Sequence, residues 1–157
     1  MNKMNPLAVL AVLALAACDQ HAADGPAIAD GAAGEAARLS RTAAPEGASV
    51  FFISPADGDT VSNPIPIEFG IEGMDVVKSG QELPRSGHHH LIIDAALPVP
   101  GLPIPADEHY VHFGDASTST ALTLDPGSHT LQLLLGDYRH IPHDPPVLSG
   151  VITVIVE

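Results

Sequence analysis

From residue 49 to its end the chain is broken every few residues by proline or glycine, and this punctuation restricts it to short extended segments. Fifteen Pro and fourteen Gly are spread through 157 residues. An internal proline removes a helix donor and clashes with the preceding turn, so no long helix can run through such a pattern. Between the breaks lie runs of aliphatic and aromatic residues at 50–53, 65–71, 88–94, 110–113, 118–124, 128–135 and 150–156. In the second run Ile65, Ile67, Phe69 and Ile71 alternate onto one face, the period of a half-buried strand. Pro64 and Pro66 place the start of that strand at a sheet edge, where a missing donor is tolerated. Asp125, Pro126 and Gly127 make a tight turn between the fifth and sixth strands. Seven short strands without a helical period predict an all-β fold, an antiparallel β-sandwich of immunoglobulin-like type. Trp is absent and Cys occurs once, at Cys18. The core must therefore be mainly Val, Ile and Leu, with no disulfide inside it.

The first residues read as a processing signal. Lys3 precedes an apolar run from residue 7 to 17, too short to span a bilayer, which ends Leu15, Ala16, Ala17, Cys18. That ending resembles a bacterial lipobox, which implies cleavage before Cys18 and a diacylglycerol on its sulfur. Several acyl chains make such anchoring stable, whereas one binds only marginally. The expected organisation is a lipoprotein signal over 1–17, lipidated Cys18 with a flexible tether over 18–48, and a His-rich β-sandwich domain over 49–157. The tether is rich in Ala, Gly and Asp, and about 30 such residues reach on the order of 30 Å. This predicts a domain held in the cell envelope and facing the periplasm. Asp19, directly after the cysteine, favours the inner membrane.

Without the signal, five basic residues (Arg38, Arg41, Lys78, Arg85, Arg139) face nineteen acidic ones, a net charge of −14. Nucleic acid would repel such a chain and cations would be drawn to it. No glycine-rich phosphate loop suggests a nucleotide cofactor.

Eight of the nine histidines fall between residues 88 and 143. Imidazole is the commonest metal donor and titrates nearest neutral pH, so this density points to a metal. In an extended strand His88 and His90 share a face, their Cα atoms about 6 to 7 Å apart, while His89 faces the other way. His140 and His143 flank Pro142 in a loop stiffened by Pro145 and Pro146. If successive strands alternate in direction, His88, His90, His112, His140 and His143 meet at one end of the sandwich. His109 and His129 then lie at the other. Such a set suits Cu(II) or Zn(II), with His109, Asp137 and Asp144 as alternative or supporting donors. Met74 is the only methionine of the domain, which disfavours Cu(I).

The same residues also admit plainer roles. His129 shares parity with Leu131, Leu133 and Leu135, and His89 with Leu91 and Ile93, so both fit buried histidines bonded to backbone. His112 fits the rim of the core, and the triple histidine could line an exposed sheet edge.

Several blocks, in order, resemble a bacterial domain-of-unknown-function family of exported proteins. They are Gly87, His88, His89, His90, Leu91; His112, Phe113, Gly114; the run 126–137 with His129 and Asp137; and His140, Ile141, Pro142, His143, Asp144, Pro145, Pro146, Val147. The resemblance spans roughly 49–156 and implies export and a shared fold, with no reaction attached. A Gly, Gln, Thr, Glu-like stretch expected after the His-Phe-Gly block is Asp115, Ala116, Ser117, Thr118 here, so no role is carried over for it.

Three functions follow as expectations. The first is a membrane-tethered periplasmic protein that binds Cu(II) or Zn(II) through its histidines. The second is a metal-free sandwich that recognises an envelope protein or glycan. The third is a metal-dependent enzyme, which needs an open coordination position, while a serine hydrolase is disfavoured because no Gly-x-Ser-x-Gly elbow frames Ser86 or Ser149.

Overall fold

The computed structural model describes residues 38–157. Every regular element among them is a strand: β1 (Ser49–Ser54), β2 (Thr60–Val61), β3 (Ile65–Glu72), β4 (Asp75–Val76), β5 (Ser86–Ile93), β6 (Tyr110–His112), β7 (Ser119–Leu122), β8 (Gly127–Gly136) and β9 (Ile152–Val156). All seven runs marked by alternation and turn signals are strands, and two-residue β2 and β4 add to them. The all-β fold is thus as the punctuation requires.

The strands form two sheets. One is three-stranded in the order β1-β3-β7, and the other runs β2-β9-β8-β5-β4 with β6 also paired to β5. Pairing is antiparallel except for β2 with β9 and β4 with β5. The inward residues of both sheets make one core: Val50, Ile65, Ile67 and Phe69 from the smaller sheet meet Leu91, Ile93, Leu131, Leu133, Leu135, Val154 and Val156 from the larger. Strand β3 is central in its sheet, not an edge. Its first residues nevertheless pair only with β7, since its register with β1 covers Glu68 to Glu72, so Pro66 is tolerated as at an edge.

Strand β5 is buried at all eight positions. It is flanked by β8 on one side and by β4 and β6 on the other, which removes the exposed-edge reading of the triple histidine. Its inner face gives His89, Leu91 and Ile93 to the core. Its outer face carries His88, His90 and Ile92 beneath two long loops. Ile104 of the β5–β6 loop packs on Ile92 and Leu134 in a second, smaller core, joined by Ala95, Tyr110 and Leu148. A strand covered on both faces reads as a continuous apolar run in most sheets, and here imidazoles stand in three of those positions.

The segment before β1 belongs to this unit as well. Residues 38–48, expected as the end of the tether, lie along the 137–144 loop. Leu39 donates to the Gly101 carbonyl at 2.7 Å, Ala44 to Asp144 at 2.9 Å and Asp144 back to Thr42 at 2.9 Å, around a parallel bridge of Ala43 with Asp144. Isolated bridges and side-chain clips leave no period in a sequence, so composition alone gave no sign of them. The signal, Cys18 and the rest of the tether lie outside the described residues.

Leu133 is fully buried between the sheets. Leu133→Ala should cost ~2–5 kcal/mol of unfolding free energy, read as a lower denaturant midpoint at unchanged slope.

Candidate metal centre

Strand geometry places the first two histidines. His88 and His90 are two residues apart on the outer face of β5, and their ring centroids are 4.8 Å apart. His112 ends β6 directly opposite His90 in register. His140 comes from the loop after β8, folded back over the same face. Centroids lie 4.8 Å apart for His88 and His140, 4.9 Å for His88 and His112, 5.1 Å for His90 and His112, and 4.7 Å for His112 and His140. One ring nitrogen from each of the four falls within 4.8 Å of the others. His88 and His90 are buried, and His112 and His140 stand nearer solvent.

A tetrahedral ion with nitrogen ligands at about 2.0–2.1 Å needs those nitrogens about 3.3 Å apart. The four rings are near enough for small side-chain rotations to close that shell. No thiolate or thioether is in the group, and imidazole suits zinc and Cu(II).

The electrostatics favour the same chemistry. Burial pushes His88 down to about 4, with His140 and His112 adding to the effect and Asp137 opposing it. Burial lowers His90 further, to about 2, reinforced by His88, His112 and His140. His112 is also lowered, by desolvation and then by His140. The buried pair is therefore neutral at pH 7, with ring lone pairs not taken by protons. His88 Nε2 and His140 Nδ1 are 3.1 Å apart, one donating to the other. The Nδ1 atoms of His88 and His90 have no hydrogen-bond partner among the described residues. A buried polar atom without a partner costs ~1–3 kcal/mol, a cost that the buried rings of His89 and His143 also carry away from the cluster.

The loop that carries His140 is built around one carboxylate. Asp137, 1% exposed, accepts the backbone N–H groups of Arg139 at 2.8 Å and Ile141 at 3.0 Å through Oδ1. Its Oδ2 accepts the Thr42 hydroxyl at 2.8 Å and the Arg139 guanidinium at 3.1 Å. Burial alone would favour the neutral acid, but the Ile141, Thr42 and Arg139 hydrogen bonds outweigh it and hold this carboxyl below the usual range. Asp137 thus supports the site without facing it as a ligand. The clamp keeps His140 in a left-handed conformation at φ 65° that a non-glycine residue rarely adopts. Such geometry persists only where its surroundings over-determine it.

Two glycines make room for the rings. A Cβ on Gly136 would lie 2.7 Å from His90 Cε1, and one on Gly114 would lie 2.4 Å from His112 Cε1.

The other expected donors go elsewhere. His143 is fully buried but turned away from the four, its Nδ1 3.3 Å from the Leu135 carbonyl. The backbone between it and His140 is bound to β8 through the Gly136–Pro142 bridge, so proximity in sequence does not become proximity in space. Asp144 is an exposed partner of Arg41 at 3.1 Å. His109 donates from Nδ1 to the Ile93 carbonyl at 3.0 Å, beside His129 at the other end of β5. His129 is half-buried instead of buried. Its Nδ1 meets Asp94 at 2.6 Å and its Nε2 the Asp125 carbonyl at 2.9 Å, a doubly held imidazole whose pKa is raised by the Asp94 hydrogen bond. His89 packs edge-on against Phe69, centroids 4.7 Å apart, inside the main core. Arg41 and Thr42 belong to no motif, and no local pattern marks their place beside the site.

The family model for a domain of unknown function, DUF4399, matches residues 67–157 and so takes in all four histidines. No curated protein and no solved structure matches the chain.

Two outcomes follow. Gly136→Ala should overpack the ring of His90 and destabilise the fold by ~1–3 kcal/mol, and the His90 imidazole resonances should move more than those of His109. The metal-free protein should also be acid-labile. His88 and His89 titrate near 6.5 when unfolded but near 4 when folded, so below pH 6.5 the unfolded chain takes up protons that the folded one refuses. Stability present above pH 6.5 is lost as the pH falls toward 4, at up to ~1.4 kcal/mol per pH unit for each group, and His90 extends the loss lower. Denaturant melts between pH 7 and 4 read this directly, and a flat profile would contradict the burial of neutral imidazoles.

Proposed function

The chain belongs to the DUF4399 domain family, and we propose that this member is a lipid-anchored periplasmic protein that binds one Zn(II) or Cu(II) ion through His88, His90, His112 and His140. The observation that carries this reading is the convergence of four imidazoles, two of them, His88 and His90, buried with an unpartnered ring nitrogen. Packing alone gives no return for that arrangement, whereas a bound cation would.

Four protein ligands fill a tetrahedral shell, and a full shell suits holding or carrying an ion better than activating water on it. Sequestration or delivery in the envelope is therefore favoured over hydrolysis or redox catalysis. The lipobox-like ending at Cys18 supports the periplasmic, membrane-held setting, and the acidic balance of the chain favours a cation as ligand. The metal-free alternative finds support at the far end, where His109 and His129 serve as hydrogen-bonding groups of the fold.

Calorimetric titration of untagged protein from residue 19 onward tests the reading. One equivalent of Zn(II) or Cu(II) should bind with sub-micromolar affinity, and His88→Ala combined with His90→Ala should abolish it. His109→Ala and His129→Ala should leave the stoichiometry and affinity within a few-fold of the parent. Uptake of several weak equivalents, insensitive to the double change, would favour scattered surface binding instead.

A further inference from the structure

Three of the four ligands stand on the sheet, and the fourth does not. His88 and His90 belong to β5 and His112 to β6, positions fixed by backbone pairing. His140 sits in a loop whose own contacts to β8 are the Gly136–Pro142 bridge and the Asp137–Ile141 hydrogen bond. From outside, the Ile104 N–H of the β5–β6 loop holds the His140 carbonyl at 2.8 Å and the Gly80 N–H holds the Tyr138 carbonyl at 3.2 Å, and the segment ahead of β1 adds a set of side-chain clasps on either side of His140. Arg41 donates through Nε to the Pro142 carbonyl at 3.0 Å, through Nη2 to the His143 carbonyl and through Nη1 to Asp144 at 3.1 Å. Thr42 bonds the buried Asp137 carboxylate, Arg139 reaches back to the Ser40 carbonyl at 2.7 Å, and Ala43 bridges Asp144. Residues 40–44 thus bracket His140 on both sides, at 137–139 and at 142–144, across about a hundred residues of sequence.

We infer that this N-terminal strap is a positioning device for His140, so that the metal site is three fixed ligands plus one that the strap delivers. Arg41 is the principal positioning residue and Thr42 acts through Asp137. With the strap in place the ion is held by four imidazoles. With it displaced, His88, His90 and His112 remain and one coordination position opens to water or to an acceptor's ligand. A competing partner on residues 40–44 would loosen the ion at the site. This inference deepens the metal-binding reading and rests on it.

Cu(II) serves as the probe, on the chain from residue 19 as parent, Arg41→Ala, His140→Ala and the double variant. Donor nitrogens are read from electron paramagnetic resonance, and retention from the rate of transfer to a chelator. Changes around a metal's ligands commonly cost 10–100-fold in affinity. Arg41→Ala should fall in that range, show the spectrum of His140→Ala, and add nothing in the double variant. Thr42→Val, a smaller change, should move retention in the same direction and keeps the test open if Arg41→Ala does not fold. Equal effects of Arg41→Ala with and without His140, or an unaltered spectrum, would overturn the strap's role while leaving the site intact. A parent that takes up no Cu(II) or Zn(II) would instead overturn the metal reading. In that case the imidazole nitrogen resonances of metal-free His140 decide the strap: they shift in Arg41→Ala if the strap places the ring, and stay if it does not.

Discussion

The burial of β5 on both faces is the constraint on which the rest of this structure depends. A strand at the centre of a sheet whose outer side is covered by loops has no access to water, and side chains on it must be apolar or satisfied from within. This chain places three consecutive imidazoles there. His89 faces the inter-sheet core against Phe69, and the two neighbours face outward into a cluster shared with His112 and His140. Burial keeps the outward pair neutral well below neutral pH, so a proton competes with a cation for them only in acid. The instability of unpartnered nitrogens and the capacity to bind a cation are two consequences of one placement.

The loops over the outer face exist to complete that environment. The β5–β6 loop drops Ile104 onto Ile92 and Leu134, while its backbone accepts Leu39 and pairs with His140 through the Ile104 N–H. The loop after β8 winds around the Asp137 carboxylate and returns His140 over the pair. Glycines at 114 and 136 give the rings space that any side chain would occupy. Backbone pairing, a buried carboxylate and two missing side chains thus fix the four rings without any disulfide.

Much of this was legible in the residues, and the misses have definite causes. Alternation at Ile65, Ile67 and Phe69 and the turn at Asp125 to Gly127 are local signals, and the strands they mark are present. The shared face of His88 and His90 follows from the two-residue strand period, and strand direction then brought His112 and His140 beside them. His143 failed the same reasoning because a loop has no period: three residues beyond His140 its ring turns to the Leu135 carbonyl. The pairing of residues 38–48 with the 137–144 loop was invisible for a related reason, since it consists of single bridges and arginine clips between segments a hundred residues apart. His129 looked like a core residue by parity, but it is only half-buried, held by the Asp94 carboxylate and the Asp125 carbonyl.

X-ray absorption at the zinc edge, on protein loaded with one equivalent, reads the ligands of the site. Four imidazoles give a first shell of four nitrogens at about 2.0–2.1 Å with the outer scattering of imidazole rings, lost on replacing His88 and His90 by Ala. A shell dominated by carboxylate or water oxygens, or one unchanged by those replacements, would contradict a four-histidine site.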